Sequence, residues 1–252
     1  MSDSETQHQC PLFIVGFRCG NPTYNRTNKQ QTTNNQQPTM QVALKQIIVP
    51  PGQQLLFQDV NWQQFETILD ELGESSAARI SYSNGVLEIM VPLPEHEKDK
   101  EIIGYIVQIL LEELNIDFES LGSTTFKNQR MNQAVEPDAC FYIKNYRAVI
   151  GKNRLNLELD PPPDLAIEID ITSRTKLDNY RLLGVPELWR YTQSGLQINL
   201  LRDGEYVKSS TSPNFPDIPI IELVNRYIKQ SQQIGRSQAI REFKSWMKEN
   251  LH

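Results

Sequence analysis

The clearest alternation of apolar and polar residues lies between Leu165 and Ile171. Leucine and isoleucine occupy every second position of this segment, and the positions between them carry Ala166, Glu168 and Asp170. A period of two is the period of a β-strand, and β-branched isoleucines favour a half-buried pleated surface. The pattern therefore predicts a strand with one apolar face and a second face that carries two carboxylates.

A helix is predicted directly after this strand. Thr172 or Ser173 can cap its first turn, and Gly184 ends it because glycine readily adopts the conformation that follows a helix. The residues that share one face of this helix are Lys176, Tyr180 and Leu183. Two acids on a strand and a lysine on the next helix form a combination that is typical of a functional site.

The rest of the chain predicts helices and β-hairpins. Asn61 and Gln64 have the spacing of a capping box, and Asn84-Gly85 is a strong hairpin signal. Further elements are predicted as a long helix after 92–97, a strand over 118–127, a long loop over 145–163, a hairpin across Asp203-Gly204, and a helix over 225–251 that breaks near Gly235. The fold class that follows is α/β, an α+β mixed sheet with flanking helices and hairpins.

A second strand, predicted over residues 135–143, carries Asp138. Neighbouring strands lie about 4.8 Å apart, so Asp138 and Glu168 on paired strands can hold one cation between them. Asp164 is a rival, but it lies roughly 13 Å from Glu168 along an extended strand. That separation is too large for two ligands of one metal whose oxygen ligands lie at about 2.1 to 2.5 Å. Asp138 is therefore the better candidate.

Composition divides the chain of 252 residues into three parts. Residues 21–39 are rich in Asn, Gln and Thr and nearly lack apolar side chains, so residues 1–39 are predicted to be a disordered extension. The predicted domain covers 40–224, and 225–252 forms a C-terminal helical segment. The apolar stripe of that segment can pack on the core or on a second subunit, so a homodimer stays open.

Charge and cysteine content limit the function classes. The formal net charge of −6 gives no overall electrostatic attraction to nucleic acid, so DNA binding requires a local basic patch. The densest positive charge expected near the acids comes from Arg147, Lys152 and Arg154 in the long loop. Three cysteines suit a reducing, cytoplasmic compartment, and no apolar run approaches the roughly 20 residues of a membrane span.

Several of these residues together carry a family resemblance. They are Pro137-Asp138, Glu168-Ile169-Asp170, Ser173, Lys176, Tyr180 and the run GVPELWRY that begins at Gly184. The set resembles the Uma2 family of restriction-type endonucleases, which is common in cyanobacteria and belongs to the PD-(D/E)xK nuclease superfamily. The resemblance covers roughly residues 60–227, and GVPELWRY with the strand and helix before it is its most specific part.

The resemblance implies a restriction-endonuclease-like core and Mg²⁺-dependent hydrolysis of DNA phosphodiester bonds, with Mn²⁺ as a possible substitute. It implies Asp138, Glu168 and Lys176 as catalytic residues. The metal would be held by Asp138, Glu168 and the backbone carbonyl of Ile169. One departure matters, because the superfamily motif places lysine two residues after the second acid, where this chain has Asp170. Lys176 resembles a migrated lysine that returns to the site from the helix.

Further residues are secondary candidates. Asp170 would be a metal ligand or a partner of Lys176, Tyr180 shares the helix face of Lys176, and Glu97 follows His96 in a pair that the family repeats at a helix start. The alternative interpretation is that alternating acids line a solvated strand face. A nuclease fold that serves as an inactive binding or regulatory module is the corresponding alternative for function.

Overall fold

The computed structural model describes residues 13–14, 41–42, 44–73, 78–122, 124–152, 155–170 and 177–251. These parts of the chain contain thirteen strands and five α-helices. The strands are β1 (Phe13–Ile14), β2 (Gln41–Val42), β3 (Gln54–Phe57), β4 (Arg79–Ser83), β5 (Val86–Met90), β6 (Glu119–Ser120), β7 (Phe126–Asn128), β8 (Gln133–Val135), β9 (Ala139–Tyr142), β10 (Leu165–Ile169), β11 (Glu187–Thr192), β12 (Gly195–Arg202) and β13 (Glu205–Ser209). The helices are α1 (Trp62–Leu72), α2 (Pro94–Glu113), α3 (Leu177–Leu183), α4 (Ile220–Ile234) and α5 (Arg236–Asn250).

The larger sheet is mixed and has six strands in the order β13-β12-β11-β10-β9-β6. Strands β10 and β11 are parallel, and the connection between them contains α3, as a parallel pair requires a crossover. The other neighbouring pairs of this sheet are antiparallel. The predicted α/β class with a mixed sheet is confirmed.

A second sheet of five antiparallel strands has the order β3-β5-β4-β8-β7. The predicted hairpin at Asn84-Gly85 forms its centre, where both turn residues have positive φ angles of 47° and 87°. Helix α1 packs on this sheet through Phe65 and Ile68, and its capping box between Asn61 and Gln64 is present as predicted. Strands β1 and β2 form a separate antiparallel pair.

The larger sheet has an apolar core on both faces. Helices α2, α4 and α5 cover one face, where Ile167 and Trp189 are completely buried. Helix α3 covers part of the other face, where Tyr180 packs with Cys140 and Ala166. The two faces of β10 thus separate the large helical core from a smaller cluster that lies beside the acids.

The predicted strand over 135–143 is wrong as a single element. Its first part belongs to β8 in the second sheet and its last part to β9 in the larger sheet. Residues 136–138 cross between the two sheets, and Pro137 has no N–H group to donate to a ladder. Asp138 therefore lies at the crossing, one residue before β9.

Two other predicted boundaries also differ. The strand over 118–127 is two short strands, β6 and β7, which belong to different sheets. The C-terminal helix begins at Ile220 rather than 225, and its predicted break at Gly235 separates α4 from α5. The apolar side chains of α5 pack on the core of this chain, so that stripe is not left bare. The predicted disorder of 1–39 lies outside the described residues apart from Phe13–Ile14.

Candidate active site

Asp138 and Glu168 lie side by side at the end where β9 begins and β10 ends. Ala139 pairs with Ile167 in the antiparallel register, so Asp138 is the neighbour of Glu168 on the next strand. The backbone N–H of Asp138 donates to the Ile167 carbonyl at 3.1 Å, which continues the ladder by one residue. The structure therefore brings together the two acids that the sequence analysis selected.

The Asp138 carboxylate is buried and is held from three sides. Its Oδ2 accepts a hydrogen bond from the Ile169 N–H at 2.8 Å and lies 3.1 Å from His96 Nε2. Its Oδ1 lies 3.3 Å from Arg79 Nε. A buried charge requires such partners, because ionised groups are costly to remove from water.

Arg79 of β4 connects the second sheet to this acid. Its guanidinium lies 3.0 Å from Glu136 and 3.4 Å from Glu97, in addition to its contact with Asp138. Burial lowers the pKa of Arg79, but the three carboxylates outweigh burial and hold its pKa above the ordinary value. Arg79 is therefore a permanent positive charge within the acid cluster.

Glu168 is partly buried and accepts a hydrogen bond from the Tyr180 hydroxyl. Burial raises the pKa of Glu168 well above its ordinary value, and repulsion from Asp138 raises it further, while the Tyr180 bond opposes the shift. Burial and the Glu168 carboxylate also raise the pKa of Tyr180, so this hydroxyl stays a donor. Two acids forced together in this way form a pair that an added cation would stabilise.

Asp170 is paired with a cation from the neighbouring strand. The Arg190 side chain of β11 donates from Nε to Asp170 Oδ2 at 2.9 Å, and its Nη2 donates to the same oxygen. Both side chains are largely buried, at 4% exposure for Asp170 and 11% for Arg190. The position where the ordinary motif has lysine thus holds an acid that binds an arginine.

The other candidate site residues either lie outside the described residues or lie at the edge of the acid cluster. Lys176 and the predicted cap at Thr172 or Ser173 lie outside the described residues. Glu97 lies near the acids through Arg79, with its side chain 41% exposed and Lys100 Nζ at 3.3 Å. It lies in the first turn of α2, where acids suit the positive end of a helix.

The long loop begins where β9 ends, and the basic residues in its described part have partners within the loop. Lys152 pairs with Asp160, and the Arg147 guanidinium lies over the Tyr146 ring at 5.5 Å. The basic patch expected near the site stays a prediction for Arg147 and Lys152, and Arg154 lies outside the described residues.

The donor chemistry of the acid pair fits Mg²⁺. This ion is usually bound by one or two carboxylates and keeps several waters, so Asp138, Glu168 and the Ile169 carbonyl are a sufficient set of oxygen donors. Over the described ranges, no group of three or more His, Cys, Asp or Glu side chains is placed to hold a metal ion. The residues therefore suit a hydrated ion rather than one enclosed entirely by side chains.

Two cationic partners of the acids, Arg79 and Arg190, were missed by the sequence analysis. Arg190 had a signal, because it lies within GVPELWRY on the strand that follows the predicted helix. Arg79 had none, because its contact with Asp138 depends on how the two sheets meet. His96, which precedes Glu97 in the pair at the start of α2, contacts Asp138 through Nε2.

A cleft of about 860 Å³ lies on the helical side of the larger sheet, at the start of α2. Its lining residues are Glu95, Glu97, Lys98, Asp99, Glu101, Ser231, Gln232 and Arg236. Four of these side chains are acids and two are cations, so the lining of the cleft is acidic overall. Glu97 belongs to both the cleft and the acid cluster.

A mixed sheet flanked by helices, with paired acids on neighbouring strands, defines an α/β protein with a restriction-endonuclease-like core. The family model of Uma2, described as "Putative restriction endonuclease", matches residues 62–225, which is more than half of the chain. The protein belongs to the Uma2 family.

The chain is similar to a crystal structure titled "a putative nuclease belonging to DUF820" from Anabaena variabilis, with 14% sequence identity and a TM-score of 0.47. The match covers 66% of this chain and 98% of that chain. No curated protein matches the sequence. Among the helices of the described ranges, none combines the length and the apolar character needed to cross a membrane.

Proposed function

We propose that this protein is a Mg²⁺-dependent endonuclease that hydrolyses DNA phosphodiester bonds. The observation that carries the proposal is the adjacent placement of Asp138 and Glu168 at one end of β9 and β10, in a member of a nuclease family. When bound, Mg²⁺ would supply an acidified water and would neutralise charge on the phosphate.

The residues around the acids support this proposal by fixing them in place. Arg79, His96 and the Ile169 N–H hold the Asp138 carboxylate in one orientation. Tyr180 does the same for Glu168. Such a supporting shell is what a catalytic or metal-binding site needs, since loosely held ligands lose affinity and rate. Lys176 would orient the attacking water or stabilise charge in the transition state.

A second function is favoured by one observation. The Asp138 carboxylate already has a guanidinium, an imidazole and a backbone N–H as partners, so its charge is balanced by the protein itself. A nuclease fold whose acids have become structural would serve as a binding or regulatory module, and the net charge of −6 agrees with weak affinity for DNA.

Calorimetric titration with Mg²⁺ and Mn²⁺, followed by nicking of supercoiled plasmid, distinguishes these functions. We expect the wild type to bind the cation and nick DNA, and Asp138→Ala and Glu168→Ala to lose both. Lys176→Ala should lose nicking but keep cation binding, because the lysine is not a ligand. Glu205→Ala, an exposed acid on β13, is the matched control. A folded wild type that binds no cation would contradict the enzyme and favour the regulatory module.

A further inference from the structure

Four side chains form a row across adjacent strands of the larger sheet. The register places Asp138 beside Glu168, Glu168 beside Arg190, and Arg190 beside Gln197. Directly paired residues in a sheet point to the same face, so these side chains, which we call the polar row, share one side. On this side Glu168 contacts Tyr180 of α3, while Asp138, at the end of the strand, also contacts His96 at the start of α2.

The polar row interrupts an otherwise apolar surface. The positions two residues away on the first three of these strands are Cys140, Ala166 and Leu188, and all are completely buried in one apolar cluster. A structural role would be served equally well by more apolar side chains there, since burying ions is expensive. The row contains two acids followed by a cation, which is the charge arrangement that a metal and a phosphate require together.

Arg190 is held so that its guanidinium stays at this end of the strands. Nε and Nη2 both donate to one oxygen of Asp170, rather than pairing in parallel with its two oxygens. The parallel two-oxygen pairing is the arrangement in which guanidinium and carboxylate satisfy each other best. Asp170 therefore orients the Arg190 guanidinium without forming the two parallel hydrogen bonds of a fully matched pair.

The chemistry of arginine suits a phosphodiester. Its planar group carries five N–H donors and a permanent charge, and it binds phosphate oxygens with two donors at once. Glu168 and Arg190 are direct partners in the parallel register, so the cation lies one strand away from the acid, at about 4.8 Å between strands. A phosphate bound at the acids would be within reach of this side chain.

We propose that Arg190, positioned by Asp170, binds a backbone phosphate of the nucleic acid next to the Asp138–Glu168 pair. This inference rests on the proposed function, because it assumes that DNA is the ligand of this end of the sheet. It assigns to Arg190 the positive charge that the chain lacks at position 170, in addition to any role of Lys176.

The test measures DNA affinity rather than cleavage. Fluorescence anisotropy of a labelled DNA duplex, with Ca²⁺ in place of Mg²⁺, is recorded between 50 and 200 mM NaCl. Loss of one phosphate contact is expected to reduce the slope of log affinity against log salt by about 1. We therefore expect Arg190→Gln to weaken binding about tenfold with this smaller slope. Arg190→Lys should keep the slope, because it keeps the charge, but bind more weakly.

The remaining variants separate binding from folding. Asp170→Asn should weaken binding without changing the slope, since it loosens the guanidinium and leaves its charge. Arg226→Gln removes an exposed arginine of α4 that pairs with Glu222, and it should match the wild type. An Arg190→Gln protein with wild-type affinity and slope would overturn the inference, even if its melting temperature fell.

The outcomes also separate this inference from the proposed function. If Arg190→Gln fails to fold, wild-type affinity in both Arg190→Lys and Asp170→Asn overturns the inference. If the wild type cleaves plasmid and Arg190→Gln keeps the full salt slope, the endonuclease proposal is supported and the role of Arg190 is contradicted. If the wild type binds DNA but does not cleave it, and Arg190→Gln reduces the salt slope, the role of Arg190 is supported and the endonuclease proposal is contradicted.

Discussion

Asp99 lies in the second turn of α2 and is 5% exposed. Its pKa is raised from 3.8 to about 6, chiefly by burial and then by repulsion from Glu95, while His96 opposes the shift. The folded protein therefore binds this proton more tightly than the unfolded chain does. The free energy of unfolding consequently falls as pH rises from about 4 to about 6, and the loss persists at higher pH.

Asp99→Asn should remove this pH dependence. Two pKa units correspond to about 3 kcal/mol, so we expect the stability gain of the variant to grow by roughly 2 kcal/mol between pH 4.5 and pH 7.5. Urea denaturation of both proteins at the two pH values measures it. Glu101→Gln, an exposed acid on the same helix, is the control and should show no such growth. An equal gain at both pH values would show that burial of the charge is not the cause.

At the scale of residues, the acids could be predicted and their cations could not. The closeness of Asp138 and Glu168 could be predicted from the alternation along each strand and from the pairing of the two strands. Arg79 reaches Asp138 from another sheet, and its sequence neighbours show only an ordinary strand start. The position of a long side chain depends on tertiary packing, which a local pattern does not contain.

At the scale of elements, the rival carboxylate Asp164 supports the start of the long loop. Its Oδ2 accepts hydrogen bonds from three consecutive backbone N–H groups, those of Ile143, Lys144 and Asn145, at 2.7, 2.9 and 3.1 Å. These groups follow β9 directly, where the strand ladder no longer provides acceptors. The carboxylate therefore replaces the missing partners at the end of the strand.

Asp164→Ala should destabilise the protein without altering its cation binding. Hydrogen bonds to a charged group contribute about 1.5 to 3 kcal/mol each, but their losses overlap, so we expect about 3 kcal/mol in total. For a chain of this size the melting temperature should fall by roughly 5 to 10 °C. Asp164→Asn keeps an acceptor oxygen and should lose less. Loss of Mg²⁺ binding by folded Asp164→Ala would instead make this residue a ligand.

Among the strands, some could be predicted from the sequence pattern and others could not. Hairpins such as β4–β5 and β12–β13 were predicted because their turns carry Asn-Gly and Asp-Gly, which favour positive φ angles. The passage from β8 to β9 was not resolved, since alternation continues across Pro137 while the chain changes sheets. Alternation identifies extended backbone and does not identify the neighbouring strand.

At the scale of the whole molecule, the packing of α5 indicates whether this helix covers the core of its own chain or forms a subunit interface. Its Ile240, Phe243 and Met247 are buried against the core of the same chain. Phe243 is completely buried and meets the Tyr227 ring of α4 at 5.1 Å between centroids. The family match ends at residue 225, before α5 begins, and α5 packs on α2 and α4.

Phe243→Ala should therefore lower stability and leave the molar mass unchanged. Truncating a buried phenylalanine costs about 3 to 5 kcal/mol, because apolar contacts are lost and a cavity remains. Chemical denaturation measures that loss, and light scattering of the folded variant at the same concentration measures the mass. Arg241→Ala, on the exposed side of α5, is the control and should change neither quantity. A folded Phe243→Ala protein with half the wild-type mass would mean that α5 joins two subunits, because a helix that only covers its own core cannot set the number of chains.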